Sequence, residues 1–373
     1  MASNFSRTFD EKRTIERLNK LYGLGPRVIS CNKIINGHIN DTYGVRVEGN
    51  DGKPHSYIFQ RVNDSVFSDP SKIMDNLRVI GDWLSGRSFR SSCQILTFLK
   101  TSLGTNYITQ PSGGFWRVSQ FVENSVVFDQ ITDIKIMKST GRAFGEFQLQ
   151  LSGIPLDNIE ETIPDFHNTP KRLKDFFTTV KKDPVARAEE CTNEIRFFEN
   201  NRDHFGMLER LRAEKIIPER ITHNDTKCNN ILFDKDTHDP IMIIDLDTIM
   251  PGLAAYDYGD AIRCSANYTD EDETDLKKVG LNMRYFEAFT DGFVTAAKSI
   301  LTPDEIKYLA LGASTLAFEL ASRFLKDYID GDKYFKISHP GHNLERARCQ
   351  IKLCQDMMKK YDTMCNIVNK YYC

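Results

Sequence analysis

The sequence predicts an α+β protein with a small, sheet-containing N-terminal unit and a larger, mainly helical C-terminal unit. Three observations support this prediction. Short β-rich runs fill the first third of the chain, long helical patterns dominate the rest, and two apolar strands joined by a turn interrupt the helical part. The chain has 373 residues, more than one hydrophobic core normally serves, and we place the boundary between residues 121 and 122.

The N-terminal unit, residues 1–121, begins with an amphipathic segment and continues with strands. The predicted strands are PRVISCN, TYGVRVEG, HSYIFQRVN, CQILTFLK and GFWRVSQFVEN. Turn-forming stretches such as EGNDGKP separate the first three strands, which predicts an antiparallel meander. A helix is expected to begin near Ser68 or Asp69, with Pro70 in its first turn, because apolar residues recur at helical spacing from Ile73 to Leu84.

The C-terminal unit, residues 122–373, is expected to be mainly helical. Helical periodicity is clear in DIKIMKSTGRAFGEFQLQLS, in PVARAEECTNEIRFFENNRDHFG and in almost everything after Asp270. Its strong β signals are short and central: ERITHND, NNILFD and PIMIIDLD.

Composition excludes several classes of function. Lys and Arg number 49 and Asp and Glu 52, so the net charge of −3 lacks the basic excess that favours nucleic acid or anionic membranes as partners. The start of the chain is charged and no apolar run has the length of a membrane span, so we expect a cytoplasmic protein. Nine scattered cysteines without a C-x-x-C pair favour reduced thiols over disulfides or structural zinc.

The most informative stretch is residues 221–260, where polar residues interrupt apolar strands. A short strand leads into His223 and Asp225, Asn230 follows five residues later, and a second apolar strand of the hairpin ends at Asp245. In such a hairpin, the loop before the first strand and the end of the second strand lie at the same edge. We therefore expect Asp225, Asn230 and Asp245 to converge.

That convergence suits phosphoryl transfer. The reaction needs a carboxylate to orient and deprotonate the attacking hydroxyl, for which we propose Asp225, and oxygen ligands for magnesium, for which we propose Asn230 and Asp245. The order H-x-D-x-x-x-x-N, then apolar-apolar-D, parallels the catalytic loop and metal-binding aspartate of protein kinases. The alternative, that these are turn residues and strand-end caps, must explain several polar groups at apolar strand ends, where burial without partners is costly. We expect His223 to orient the loop by hydrogen bonding, because Asp225 occupies the position of the base.

The same residues carry a family resemblance. HNDTKCNNILFD with IIDLDTIMPG resembles the active-site signature of the aminoglycoside phosphotransferase and choline kinase superfamily. Over almost the whole chain, the sequence resembles bacterial N-acetylhexosamine 1-kinases more closely. The segments that carry this resemblance are GHINDTY, WRVSQF, FHNTPKR, THNDTKxNNIL, IIDLDTIMPG, DYGDAIR, RFLKDYIDGDKYF and HNLERARCQIKL.

The resemblance implies a two-lobed, protein-kinase-like fold, with a small antiparallel-sheet N-lobe and a large, mainly helical C-lobe. It also implies ATP as phosphoryl donor, Mg²⁺ as cofactor, and phosphorylation of N-acetylglucosamine or N-acetylgalactosamine at the anomeric hydroxyl. It assigns Asp225 as the substrate-contacting base and Asn230 and Asp245 as metal ligands, and it places three residues near the sugar: Thr248, Arg323 and Tyr334. For the last two, a surface arginine and a core tyrosine are the commoner alternatives.

The nucleotide is expected to meet the first strands and the segment that joins the two units. INGHINDTYGV occupies the place of a phosphate-covering loop, although its one glycine departs from the G-x-G-x-x-G of protein kinases. The strand SYIFQRVN lacks the usual phosphate-binding lysine and offers Gln60 and Arg61 instead, so loop amides, magnesium and Arg61 are expected to hold the phosphates. Backbone groups from Gln120 to Val122 are expected to meet adenine. The residues predicted for nucleotide binding are Gly37, His38, Asn40, Arg61, Gln120 and Val122.

Two questions stay open at this point. Asp257 and Asp260, in the motif AAYDYGDAIR, either brace the loop around Asp225 or simply cap a helix start. The substrate is either an N-acetylhexosamine or another small molecule, such as choline or an aminoglycoside. A further alternative for the function is a pseudokinase that binds nucleotide without catalysis. A protein without catalytic activity, however, need not keep Asp225, Asn230 and Asp245 together.

Overall fold

The computed structural model describes residues 11–34, 40–64, 66–67, 69–87, 91–109 and 114–373. The chain forms two compact units, Met1–Arg78 with Leu96–Asn124, and Val79–Ile95 with Ser125–Cys373. The helices are α1 (Glu11–Tyr22), α2 (Pro70–Ser85), α3 (Ile134–Leu151), α4 (Thr169–Lys182), α5 (Thr192–Phe205), α6 (Met207–Ala213), α7 (Ala254–Ser265), α8 (Met283–Ala297), α9 (Pro303–Asp330) and α10 (His342–Tyr372). The strands are β1 (Arg27–Ile34), β2 (Asp41–Glu48), β3 (Pro54–Val62), β4 (Gln94–Ile95), β5 (Ile108–Thr109), β6 (Phe115–Gln120), β7 (Ser125–Val126), β8 (Arg220–Thr222), β9 (Ile231–Asp234), β10 (Pro240–Ile243) and β11 (Met250–Gly252).

The first unit contains an antiparallel sheet with the strand order β1-β2-β3-β6-β5. The predicted meander of β1, β2 and β3 is confirmed. Because side chains alternate along a strand, one face of the sheet is apolar, and α1 packs its own apolar face against it. The buried residues of this core are Ile15, Leu18, Tyr22, Tyr43, Val45, Val47, Phe59, Trp116 and Val118.

One strand prediction is wrong. The segment CQILTFLK does not form a strand of this sheet: only Gln94 and Ile95 are extended as a strand, and they pair in parallel with β10 in the second unit. β5 pairs with β6 at Trp116 and Phe115, while Leu99 donates a single backbone hydrogen bond, 2.8 Å, to Val118. The apolar residues of CQILTFLK therefore indicate that the segment is buried, and not that it pairs as a strand within this sheet.

The second unit is built mainly from helices, as predicted. Within it α3 packs along α8, and α9 packs against both α7 and α10. Glycines permit the closest approaches: a Cβ at Gly312 would lie 2.2 Å from the carbonyl oxygen of Ala255, and a Cβ at Gly259 would lie 2.4 Å from that of Gly312. The contact between α7 and α9 therefore requires glycine on both helices.

The central strands of the second unit position the loop of interest. β9 and β10 form the predicted antiparallel hairpin, in a sheet with the order β4-β10-β9-β7. β8 pairs instead with β11, a strand that the sequence did not indicate, with Thr222 opposite Met250. The predicted α+β class, with an antiparallel sheet in the N-terminal part and a helical C-terminal part, is confirmed. Along the described residues, no helix combines the length and the apolar character needed to cross a bilayer.

Candidate active site

The loop of residues 223–230 leads from β8 to β9 and turns sharply at its start. Asn224 adopts a left-handed backbone conformation, φ 63°, which asparagine tolerates better than most residues. A 3₁₀ turn, Cys228–Asn230, then brings Asn230 back to Asp225. The Asn230 Nδ2 donates to both the backbone oxygen, 2.8 Å, and the Oδ2, 3.1 Å, of Asp225. The amide oxygen of Asn230 has no hydrogen bond to any described residue and is available to a ligand.

Asp225 forms an ion pair with Lys227 in the same loop. The Lys227 Nζ lies 2.9 Å from the Asp225 Oδ1, and the two side chains are 39% and 26% exposed. Burial raises the pKa of the Asp225 carboxyl, but the charge and hydrogen bond of Lys227 outweigh it, and the pKa falls to about 2. Asp225 in turn raises the pKa of Lys227. Both groups are therefore ionised at neutral pH. Sequence reasoning missed Lys227, and its position two residues after Asp225 is the signal that could have found it.

His223 fixes the loop through both ring nitrogens. Its Nε2 donates to the carbonyl oxygen of Ile244, 3.0 Å, and its Nδ1 accepts from the backbone N–H of Asp225, 3.3 Å. The ring also packs against Phe144 and Phe147, with centroids 5.9 and 5.8 Å away. Because neither nitrogen is left for a substrate proton, His223 orients the loop, as expected.

A buried carboxylate on α7 holds the start of the loop. Asp257 accepts from the backbone N–H groups of His223, 3.0 Å, and Asn224, 2.8 Å, and from the Nε2 of Gln148, 2.6 Å. Burial raises the pKa of Asp257. The N-cap residue of α7 is Leu253, so Asp257 is not the helix cap. Of the two roles left open by the sequence, bracing is the one that the structure shows.

Asp260 braces the next residue in the same way. Its Oδ2 accepts from the backbone N–H of Thr226, 2.9 Å, and its Oδ1 pairs with the buried Arg263, 2.9 Å. Two carboxylates about one turn apart on α7 therefore hold three backbone N–H donors on either side of Asp225, those of His223, Asn224 and Thr226. This limits the positions open to Asp225.

Asp245 lies at the same edge of the hairpin as Asn230. β10 ends at Ile243, and the backbone N–H of Ile244 donates to the carbonyl oxygen of Asn230, 2.9 Å. Asp245 itself has left-handed φ and ψ values of 57° and 58° and an exposed side chain. This is the juxtaposition that the hairpin predicts.

The donor set at this edge suits a hard cation. Within the part of the chain that the structure describes, no group of three or more His, Cys, Asp or Glu side chains could hold a metal by itself. Asn230 and Asp245 offer one amide oxygen and one carboxylate, and Mg²⁺ commonly completes such a set with water and phosphate oxygens. The residues fit magnesium, and their role as ligands stays a prediction.

Thr248 belongs to the network behind the loop. Its Oγ1 donates to the carbonyl oxygen of His223, 2.7 Å, and its own carbonyl oxygen accepts from the Nδ2 of Asn224, 2.9 Å. Since the hydroxyl proton is used, Thr248 can only accept a hydrogen bond from a sugar hydroxyl.

Arg323 and Tyr334, the other residues predicted near the sugar, meet at one aromatic side chain. The guanidinium of Arg323, on α9, lies 5.8 Å from the ring of Phe335 and 5.3 Å from the ring of Phe166, and it makes no hydrogen bond to a described residue. Tyr334 packs edge to face on Phe335, with centroids 4.8 Å apart, and its side chain is largely exposed. Its backbone N–H donates to the buried Asp327, 2.8 Å. Tyr334 is therefore a surface tyrosine and Arg323 is half-buried, and the role of both residues in binding a sugar stays a prediction.

A buried histidine links this surface to the loop. The Nδ1 of His167 lies 2.9 Å from the Glu319 Oε1, and its Nε2 donates to the carbonyl oxygen of Asn224, 3.0 Å. Both nitrogens therefore face oxygen atoms of the protein. Phe166 precedes His167 in the chain, and Glu319 lies one turn before Arg323 on α9. The sequence alone does not point to His167, because its partners Asn224 and Glu319 lie far away along the chain.

Of the residues predicted for nucleotide binding, Gly37 and His38 fall outside the described residues. The other four, Asn40, Arg61, Gln120 and Val122, lie in the first unit. The Asn40 Oδ1 accepts from the backbone N–H of Asn63, 3.0 Å. Arg61 lies on β3 opposite Trp116, Gln120 ends β6 opposite Tyr57, and Val122 follows two residues later. The role of these residues in binding ATP stays a prediction.

Gln60, at the strand position where a phosphate-binding lysine was expected, contacts a cation that the sequence did not point out. Arg117, on the neighbouring strand β6, is 1% exposed and donates from Nε to the Gln60 Oε1, 3.0 Å. Its guanidinium lies 4.5 Å from the ring of Phe98. The buried positive charge of this part of the sheet is thus on β6 and not on β3.

This chain is similar to known proteins in sequence and in fold. A model described as the phosphotransferase enzyme family matches residues 30–291. A microcompartment-associated aminopropanol kinase shares 16% identity over 94% of this chain and 98% of its own, with a TM-score of 0.64. An ethanolamine kinase from Plasmodium vivax shares 15% identity over 92% and 90%, with a TM-score of 0.59, and a choline kinase from Cryptosporidium parvum shares 13% over 96% and 99%, with a TM-score of 0.58. At such identities the structural likeness shows a kinase-like fold.

Proposed function

This chain belongs to the phosphotransferase enzyme family, and we propose that it transfers the γ-phosphoryl group of ATP to the anomeric hydroxyl of an N-acetylhexosamine. The product is the sugar 1-phosphate of N-acetylglucosamine or N-acetylgalactosamine. The observation that carries phosphoryl transfer is the position of Asp225, bonded to Asn230 within a loop that the buried Asp257 holds by two backbone N–H groups. A partly exposed carboxylate on a braced loop is what orientation of an attacking hydroxyl requires.

In this proposal Asp225 receives the hydrogen bond of the acceptor hydroxyl. It takes the proton as the acceptor oxygen bonds to the γ-phosphorus and the bond from that phosphorus to the bridging oxygen of ADP breaks. Lys227 starts as the ion-pair partner of Asp225. An incoming phosphoryl group competes for the same ammonium, and a Lys227 shared with phosphate leaves Asp225 more basic. The anomeric hydroxyl is more acidic than the other sugar hydroxyls, which reduces the pKa mismatch with a carboxylate.

Magnesium would be held by Asn230 and Asp245. When bound, the ion neutralises charge on the phosphate oxygens. We propose that ATP contacts three places in the first unit: Asn40, Arg61 and the backbone from Gln120 to Val122.

The acceptor class is supported by the surroundings of Arg323. Its guanidinium is held over the rings of Phe166 and Phe335, and its donors make no hydrogen bond to the described residues. A guanidinium in this position can donate hydrogen bonds to carbonyl and hydroxyl oxygens, which an N-acetylated sugar supplies. The aromatic side chains can pack against the apolar face of a sugar ring. The tyrosine hydroxyl at position 334 adds a donor and acceptor on the same surface.

An acceptor panel with ATP and Mg²⁺ tests the proposal. N-acetylglucosamine and N-acetylgalactosamine should be phosphorylated, and phosphorus-coupled NMR should place the phosphate on C1. Phosphate on C6, or turnover of choline or an aminoglycoside with no reaction of N-acetylhexosamines, would contradict the sugar assignment. Nucleotide binding without turnover of any acceptor would favour the pseudokinase reading.

A further inference from the structure

Three polar side chains form a row across one face of the sheet in the first unit. Thr42 on β2 lies opposite Gln60 on β3, and Gln60 lies opposite Arg117 on β6. The next row along these strands includes Phe59 and Val118, which belong to the buried core that α1 covers. Because side chains alternate between the two faces of a sheet, the polar residues lie on the face opposite α1. We name Thr42, Gln60 and Arg117 the polar row.

Hydrogen bonds within the polar row fix the orientation of the Gln60 amide. Arg117 is 1% exposed, lies 4.5 Å from the ring of Phe98, and donates from Nε to the Gln60 Oε1, 3.0 Å. A guanidinium only donates, so the amide oxygen must face β6 and the Nε2 group must face β2. There the Gln60 Nε2 donates to the Thr42 Oγ1, 3.4 Å. Its second N–H makes no hydrogen bond to a described residue, and the Gln60 side chain is partly exposed.

The polar row lies beside the place of the predicted phosphate-covering loop. β1 ends at Ile34 and β2 begins at Asp41, so Thr42 is the second residue of the strand that follows this loop. In protein kinases such a loop covers the ATP phosphates, and a lysine on the third strand pairs with them. β3 has no lysine, and Gln60 lies where one was expected. The positive charge of Arg117 adjoins the Gln60 amide from the neighbouring strand.

We propose that the polar row binds the phosphates of ATP in place of this lysine, with Gln60 donating from Nε2 to a phosphate oxygen and Arg117 as a positioning residue. The inference rests on the proposed function only for ATP as the donor, and the acceptor plays no part in it. Arg117 polarises the amide at its oxygen, which makes the Nε2 group a stronger donor. A hydrogen bond to a charged group should contribute about 10- to 100-fold to the affinity for ATP.

Arg61, the neighbour of Gln60 in the chain, belongs to a different row. It lies opposite Trp116, a residue of the core that α1 covers. Alternation along β3 therefore places Gln60 and Arg61 on different faces of the sheet. Substitutions at the two positions consequently report on different surfaces.

The test compares ATP with adenosine, which has no phosphates. Isothermal titration calorimetry in the presence of Mg²⁺ gives both dissociation constants, and their ratio measures what the phosphates contribute. Gln60→Glu keeps an acceptor for Arg117 but replaces the N–H donor with a carboxylate oxygen. It should lower the preference for ATP over adenosine at least about tenfold and leave adenosine binding unchanged. Gln355→Glu, the same change at an exposed position of α10, should leave both constants unchanged.

Two variants of Arg117 test its positioning role. Arg117→Lys keeps a donor for the Gln60 Oε1 and should keep most of the preference for ATP. Arg117→Gln lets the Gln60 amide turn and should lower the preference about 3- to 10-fold, again with adenosine binding unchanged. Should Arg117→Gln fail to fold, Gln60→Glu, which retains the bond to Arg117, decides the question by itself.

Several outcomes would overturn the inference. One is an unchanged ratio in folded Gln60→Glu, and another is an equal loss of ATP and adenosine binding, which a structural role would cause. A lowered ratio in Arg61→Gln alone would assign the phosphates to Arg61 instead. Equal affinity of the wild type for ATP and adenosine contradicts this inference alone, whereas binding of neither contradicts the proposed function as well. Failure of the sugar assignment in the acceptor panel leaves these dissociation constants, and the inference, unaffected.

Discussion

At the scale of single residues, the ion pair between Asp225 and Lys227 controls how basic the candidate catalytic carboxylate is. The pKa of Asp225 lies at about 2, so the carboxylate is ionised at neutral pH and is a weak base until Lys227 is drawn away. Activity that needs ionised Asp225 should therefore persist as the pH falls, down to the region of that lowered pKa.

Lys227→Met should move the acid limb of kcat/KM upward. Without the ammonium, burial is the main influence on Asp225 and raises its pKa, so activity should begin to fall at about pH 4 to 5 instead of near the limit of acid stability. The kcat should also drop, because the phosphoryl group loses a cation. Lys235→Met, an exposed change in the turn of the same hairpin, is the control. Coincident acid limbs for wild type and Lys227→Met would remove Lys227 from this role.

Asp225→Asn should lower kcat by about 10² to 10⁴, the range for loss of a positioned general base. The amide keeps the size of the side chain and can still accept from Asn230, but it cannot take a proton. Nucleotide affinity and the thermal midpoint should change little. Asp236→Asn, in an exposed turn, serves as the matched variant. Near-normal turnover by Asp225→Asn would show that another group is the base.

At this scale the sequence could indicate Asp225, Asn230 and Asp245, because two apolar strands and their turn bring these side chains to one edge by geometry alone. Lys227 and His167 are not brought out by that geometry. For Lys227 the one signal is its position two residues after Asp225, which it shares with other polar residues of the loop. The function of His167 depends on Glu319, about 150 residues further along the chain, and only the folded structure brings the two together.

At the scale of elements, α7 connects the helical core to the active-site loop. Its carboxylate Asp257 satisfies two backbone donors that would otherwise be buried without partners.

Asp257→Asn should destabilise the fold by about 2–4 kcal/mol, because an amide nitrogen would face N–H donors or leave one unpaired. The same change should lower kcat, since Asp225 would lose its fixed position. Asp203→Asn, whose side chain is 92% exposed, should leave both quantities unchanged. Chemical denaturation with parallel kinetics measures the effects, and a stable, fully active Asp257→Asn would contradict the bracing role.

Contact between α7 and α9 gives a second prediction for this scale. Gly312→Ala would place a Cβ 2.2 Å from the backbone oxygen of Ala255, so the helices must separate, at a cost of about 1–3 kcal/mol after the gain in helix propensity. Gly81→Ala, in α2, meets no atom within 4 Å and should stabilise the protein by up to about 1 kcal/mol. Opposite signs for the two glycines are the expected result. A stabilising Gly312→Ala would show that the two helices adjust freely.

Long elements were predictable and short ones were not, for a physical reason. α2, α3 and α9 carry helical periodicity over several turns, and β1, β2 and β3 are β-rich runs of eight, eight and nine residues, so local pattern decides them. β5 and β11 have two and three residues. Such strands exist only because a partner, β6 or β8, offers free backbone groups, and that information is not local.

For the whole molecule, the sequence indicated two units but not the path between them. Residues 79–95 leave the first unit and belong to the second before the chain returns at residue 96. A single boundary was the simplest reading of a change from β-rich to helical pattern. The return is directed by contacts such as the parallel pairing of Ile95 with Ile243, which link positions about 150 residues apart and leave no mark in local composition.

Ligand binding to the whole chain gives the last prediction, because a ligand that binds only the folded state stabilises it by mass action wherever its site lies. ATP with Mg²⁺ at 100 times its dissociation constant should add about 2.7 kcal/mol to the free energy of unfolding and raise the thermal midpoint. In Asp245→Ala the part of this shift that depends on Mg²⁺ should be lost, since a carboxylate ligand is missing, whereas Asp225→Asn should keep it. Thermal denaturation with and without chelator measures the difference. Equal Mg²⁺-dependent shifts in wild type and Asp245→Ala would exclude Asp245 as a ligand, while loss of the shift in Asp225→Asn would assign Asp225 to nucleotide or metal binding instead of proton transfer.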